Sequence, residues 1–162
     1  MAYSNVGLSP DGGATWSRPE VLRLGPGGEP FNQPCAPCPI AKIPDGRFVF
    51  LFHNTRPEGG GWYPRDPLWL AVGREVPGVD ANAGLQFGPP TVLIYNDGVP
   101  GGPFKDFEIG YPQFYTVGDR HFVAYANKTC QLHVNRVPDT LLTAAAPARV
   151  ATPRTAAENR PG

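Results

Sequence analysis

The sequence predicts an all-β chain built of four-stranded antiparallel sheets, arranged as consecutive blades of an incomplete propeller. Three observations lead there. Twenty glycines and twenty-one prolines in 162 residues fall between short apolar runs, the pattern of many short strands joined by turns. Phe48-Val49-Phe50-Leu51-Phe52 is apolar at every position, so both faces of that strand need cover, as in a sheet packed between two others. The unit also recurs. Two apolar segments straddling an Asp/Gly/Arg turn, 39–43 and 48–52, return at 110–117 and 122–126, about 74 residues on when counted from Phe48 to Phe122. Repetition of a whole antiparallel unit at such a period is the mark of a propeller.

The first segment, 1–25, reads as the outer hairpin of a blade. Val6 and Leu8 lead into Ser9-Pro10-Asp11-Gly12-Gly13-Ala14-Thr15-Trp16, and Val21, Leu22 and Leu24 follow. Asp11 can accept hydrogen bonds from the backbone that follows it, and the glycines supply backbone angles closed to other residues. The ring of Trp16 is expected to fold over the turn, and its burial there would be worth about 3–5 kcal/mol. A Gly/Pro linker at 25–30 leads to a complete blade at 31–96. Its strands are expected near 40–43, 48–52, 68–72 and 91–95, with a polar loop from His53 to Asp66 and a degenerate turn at 76–83. Residues 104–142 hold most of a further blade, with a third strand at 131–137. The Ala/Pro/Thr/Arg tail, 143–162, has no apolar period and is expected to be disordered.

Composition narrows the function classes. Fourteen basic residues balance fourteen acidic ones, so no field draws nucleic acid or an anionic membrane to the chain. No apolar run approaches the ~18 residues needed to span a bilayer. Three cysteines do not close a disulfide framework. Cys35-Ala36-Pro37-Cys38 has redox spacing, but Pro39 follows at once where a helix should open. Cys130 and His133 would complete a zinc set only if residues three apart on a strand converged, and a regular strand sends them to opposite faces. Buried thiols or a local Cys35–Cys38 bridge fit better. Neither a metal nor a cofactor is expected.

The eight residues Ser9 to Trp16 resemble the Asp-box, or BNR repeat, of the sialidase (neuraminidase) family, with Ser9, Asp11, Gly13, Thr15 and Trp16 at the motif positions. The turn Ile43-Pro44-Asp45-Gly46-Arg47 and the opening Gly110-Tyr111-Pro112 extend the similarity across most of 1–142. The resemblance implies a β-propeller in which Asp11 has a purely structural part, away from any active site. Six blades make the family ring. Half of one, one complete and most of another are recognisable here, so the chain is expected to be the C-terminal part of a larger protein whose missing blades are its natural partners. A secreted or extracytoplasmic setting is implied as well, although no signal segment follows Met1.

Strand direction separates the loops. The loop after a blade's second strand and the one before its first open on the same end, and the Asp-box opens on the other. Candidate ligand-binding residues on the first end are Asn32, Gln33, His53, Asn54, Arg56, Asp106 and Asn127, with Trp62 and Tyr63 nearby. In the family a tyrosine attacks the sugar, a glutamate takes its proton, an aspartate is acid/base, and arginines clamp the substrate carboxylate. A neutral phenol approaches an anionic sugar without repulsion, and an arginine fork matches a carboxylate. On that resemblance Tyr111 is the candidate nucleophile, Glu108 or Glu58 its proton acceptor, and Arg56 a carboxylate contact. Pro112 departs from the family pattern, and a core or rim tyrosine is the alternative reading of Tyr111. The acid/base aspartate and first arginine have no counterpart here. The expected function is therefore a fragment of an exo-glycosidase that removes terminal sialic acid or a related sugar from glycans, inactive as the isolated chain. The alternative is a non-catalytic BNR propeller that binds carbohydrate or protein.

Overall fold

The computed structural model describes residues 3–55, 65–77, 81–95, 109–127 and 131–147. Within them the chain is all-β apart from one short α-helix and a 3-10 turn at Ala81–Gly84, and every strand pairing is antiparallel. Strands β1 (Asn5–Val6) and β2 (Glu20–Val21) form the first layer. The second layer orders β3 (Ile40–Lys42), β4 (Phe48–Phe52) and β5 (Leu68–Glu75) side by side. Its fourth edge is shared by β6 (Leu85–Phe87) and β7 (Thr91–Ile94), which both pair with β5. Gly88, Pro89 and Pro90 separate them, and the two prolines bring no N–H to the ladder. The third layer is β8 (Ile109–Val117), β9 (Arg120–Asn127) and β10 (Gln131–Val137), in the order β10-β9-β8. No closed ring or barrel is present among the described residues, and the layers stay separate sheets stacked face to face.

The expectation for 48–52 holds in detail. Val49 and Leu51 enter one core with Leu68, Leu70, Val72, Ile109, Phe114, Val123 and Tyr125. Phe50 and Phe52 enter a second with Leu22, Phe31, Ala71, Leu85 and Phe87. Strand alternation thus sends successive residues of β4 and β5 to opposite cores. Phe31 sits edge-on to Phe50, Phe52 and Phe87 at centroid distances of 5.0, 4.9 and 5.2 Å, a favoured aromatic arrangement. Gly73 makes room for this cluster, since a Cβ there would lie 2.8 Å from the Phe87 ring.

The repeat has a different spacing from the one read off the sequence. Three residues, 44–46, turn β3 into β4, but only Gly118 and Asp119 turn β8 into β9. Arg47 therefore corresponds to Arg120 and Phe50 to Val123, a spacing of 73, which keeps inward-facing residues in step. A further correspondence joins the first two layers. Ser17 N–H donates to the Leu8 carbonyl at 2.7 Å and Gly88 N–H to that of Val72 at 2.9 Å. Next, Val6 pairs with Glu20 as Leu70 pairs with Thr91, and Asn5 with Val21 as Trp69 with Val92. The hairpin β1–β2 is thus the counterpart of β5–β7.

Two expectations are corrected. The Trp16 ring does fold over the turn, its Nε1 donating to the Gly13 carbonyl at 3.2 Å, but it is 68 % exposed and so not buried there. The chain past 142 is also not wholly tail. Helix α1 (Asp139–Ala144) buries Leu142 completely, and Ala145 joins the same core. The bare backbone at Gly88 accepts the 145–147 segment, because a Cβ there would collide with the Ala145 carbonyl oxygen. The remainder of the expected tail, 148–162, lies outside the described residues.

Candidate functional site

Register decides which loops share an end. The β3–β4 and β8–β9 turns lie together, with Pro44, Asp45, Thr116, Gly118, Asp119 and His121 lining one small cleft. The opposite ends of the same sheets bring together the C-termini of β4 and β9 and the N-terminus of β5. There His53 and Gln33 meet. His53 is fully buried, and its backbone N–H donates to Gln33 Oε1 at 2.9 Å while Gln33 Nε2 donates to the Ala36 carbonyl at 3.0 Å. Arg65, 6 % exposed, donates from Nη2 to the Cys35 carbonyl at 3.2 Å. The Asp66–Pro67 peptide that follows is cis.

Burial pushes the His53 imidazole down to about 4, and the nearby Arg65 charge adds to the effect. The carbonyls of Arg65 and Pro67 face the ring and oppose it, but neither ring nitrogen reaches hydrogen-bonding geometry with a partner. A neutral imidazole is what such a site holds near pH 7. Tyr125 of β9 borders the same region. Burial raises its phenol, the Asn135 side chain opposes the rise, and the Asp66 charge adds to it. Asn127, at the end of β9, is 8 % exposed. Asn54 has a left-handed backbone (φ 49°), a conformation that Asn tolerates better than most residues.

The structure therefore gathers Gln33, His53 and Asn127 at the expected end, with Asn54 next to His53 and Asn32, half-buried, bridged to Tyr3 beside Gln33. Tyr111 lies at the same end of the third sheet, next to Gly110, which pairs with Ala126. It sits at a bulge in β8 with φ 51° and, unlike those residues, is 59 % exposed. Arg56, Glu58, Asp106 and Glu108 lie outside the described residues, as do Trp62, Tyr63 and Cys130. Sequence reasoning missed Arg65 and Tyr125. The signal for Arg65 was its place one residue before the Asp-Pro step that opens β5; nothing local marks Tyr125.

The opposite end carries a closed set of hydrogen bonds around Asp11. Asp11 accepts from Thr15 N–H at 2.8 Å, from Thr15 Oγ1 at 2.7 Å and from Ser9 Oγ at 2.9 Å, while Gly13 N–H donates to Ser9 Oγ at 2.6 Å. These bonds, those of Thr15 first, hold the Asp11 carboxyl below its usual range. A cleft of about 320 Å³ nearby is lined by Glu20, Arg23 and Asn82, but their polar atoms brace the two layers. Asn82 accepts from Arg23 N–H at 2.7 Å and donates to the carbonyls of Arg23 and Leu85 at 2.9 and 2.7 Å. Glu20 accepts from Ala83 N–H at 3.0 Å. Cys35 is exposed and Cys38 half-buried, both as free thiols, and burial raises the Cys38 thiol against the Ser4 side chain. The local Cys35–Cys38 bridge is absent, and a raised thiol is the reverse of a reactive one. Comparison with protein-family models, with curated proteins and with solved structures finds no match for this chain.

Proposed function

We propose that this chain is a sector of a sialidase-like propeller that binds a sugar at the end marked by His53 and Arg65. The ring it belongs to acts as an exo-glycosidase on terminal sialic acid or a related sugar. The observation that supports this most is the division of labour between the two ends of the stack. One end carries the Asp-box hydrogen-bond set around Asp11. The other carries Gln33, His53, Arg65 and Asn127, polar side chains held nine-tenths buried at strand termini, the kind of placement that pre-orders a polar ligand site. Arg65 brings to this end a guanidinium, the group whose fork matches a carboxylate, and the buried, neutral His53 holds Gln33 in place through its backbone N–H.

A non-catalytic carbohydrate-binding propeller is the second reading. The exposure of Tyr111, which no buried acid or arginine encloses among the described residues, favours it. One set of measurements separates the two. Saturation-transfer NMR with N-acetylneuraminic acid should show binding that Arg65→Ala weakens at least tenfold and Asp11→Asn leaves alone. Release of a fluorescent aglycone from a sialoside, by the chain or by a longer protein containing it, favours the hydrolase, and binding without turnover favours the module. A folded protein that neither binds nor cleaves overturns both.

A further inference from the structure

We propose that β10 pairs edge to edge, antiparallel, with β10 of a second copy of this chain. The internal repeat makes the vacancy visible. In the second layer the third strand, β5, has β4 on one side and β6 and β7 on the other. Its counterpart β10 has β9 on one side and, among the described residues, no strand on the other. An open edge of seven residues is a template for another strand, and proteins usually blunt such edges with Lys, Pro or a bulge. Gln131-Leu132-His133-Val134-Asn135-Arg136-Val137 has none of these. Leu132 is 78 % exposed and Val134 52 %, and their cross-strand neighbours on β9 are only Ala126 and Ala124. Both therefore stand clear of the sheet, where a paired strand would cover them.

The strand is suited to its own copy. A two-fold axis at Val134 uses all seven residues, because Pro138 bars further extension on the C-terminal side. It sets Val134 against Val134, Leu132 against Arg136, and His133 against Asn135. An in-register parallel pairing would instead set Arg136 against Arg136, and like charges directly opposite disfavour a pair. The antiparallel register avoids this, since each guanidinium lies beside an aliphatic side chain. The result is a continuous six-stranded sheet across two copies. The proposal uses neither His53 nor Arg65 and concerns this chain by itself; in a longer ring the blade's fourth strand would take the same edge.

Cysteine cross-linking tests the register. In a Cys35→Ser/Cys130→Ser background, Val134→Cys places two thiols on directly opposed residues, within the Cα separation a disulfide spans. Asn135→Cys leaves them one diagonal step apart, about 8 Å between Cα atoms. Mild oxidation should link Val134→Cys at least tenfold faster than Asn135→Cys. Sedimentation of the unmodified chain over about a hundredfold concentration range should show a monomer–dimer equilibrium. Val134→Lys, on an exposed site, should abolish the dimer and keep the near-ultraviolet circular dichroism of the fold. Equal cross-linking rates, a monomer throughout, or a dimer that persists in folded Val134→Lys each overturn the proposal.

Discussion

Trp16 and His53 show how exposure sets the worth of a single side chain. Because Trp16 is 68 % exposed, Trp16→Ala loses one hydrogen bond and partial cover of the turn. The expected loss is about 1 kcal/mol, measured by denaturant unfolding, well below the figure for a buried ring. His53 lies at the other extreme. Its folded pKa is depressed from 6.5 to about 4, so between those values the unfolded chain binds a proton that the folded one refuses. Stability is therefore full above about pH 6.5 and falls as pH drops toward 4, by about 3–4 kcal/mol at about 1.4 kcal/mol per unit. An NMR titration of the imidazole should show a midpoint near 4; one at or above 6.5 would contradict the burial. Asp11 and Asp45, both lowered, work in the same direction below their ordinary range. The network around Asp11 was legible in the sequence because all its partners lie within four residues. Arg65 and Tyr125 were not, because their neighbours come from distant stretches of chain.

Among the elements, helix α1 and the break at Gly88 depend on each other. Leu142 fills the core between the second and third layers, and the segment after the helix crosses the backbone at the point where β6 gives way to β7. A methyl group at Gly88 meets main chain, which cannot rotate aside. Gly88→Ala should therefore lower stability by about 1–3 kcal/mol and expose 139–147 to protease, read by limited proteolysis. Unchanged cleavage would mean the contact is slack. Nothing in the Ala-rich stretch announced this docking, since one buried leucine in a six-residue helix gives no period to detect. The strands themselves were legible. Phe48–Phe52 announced two covered faces, and the turn at 44–46 announced its hairpin; only the length of its partner turn, 118–119, shifted the repeat by a residue.

For the molecule as a whole, the two cores share a single sheet. Phe50→Ala and Leu51→Ala, adjacent in sequence, empty different cores, and each should lower stability by about 3–5 kcal/mol. Hydrogen exchange should find β4 and β5 the slowest strands and β1–β2, two residues each, the fastest. The reverse order would deny the second layer its central place. The likeness of the second and third sheets was readable from the recurring turn, whereas the gathering of polar side chains at one end needed the register of every strand. The two-sided burial of β4 carries one more implication. Its main chain is the common wall of both apolar compartments, and a wall cannot move for one tenant alone. An enlarged side chain at Val49 would displace the backbone toward Phe31, so the chemical shifts of that ring become a gauge of crowding on the side it never touches.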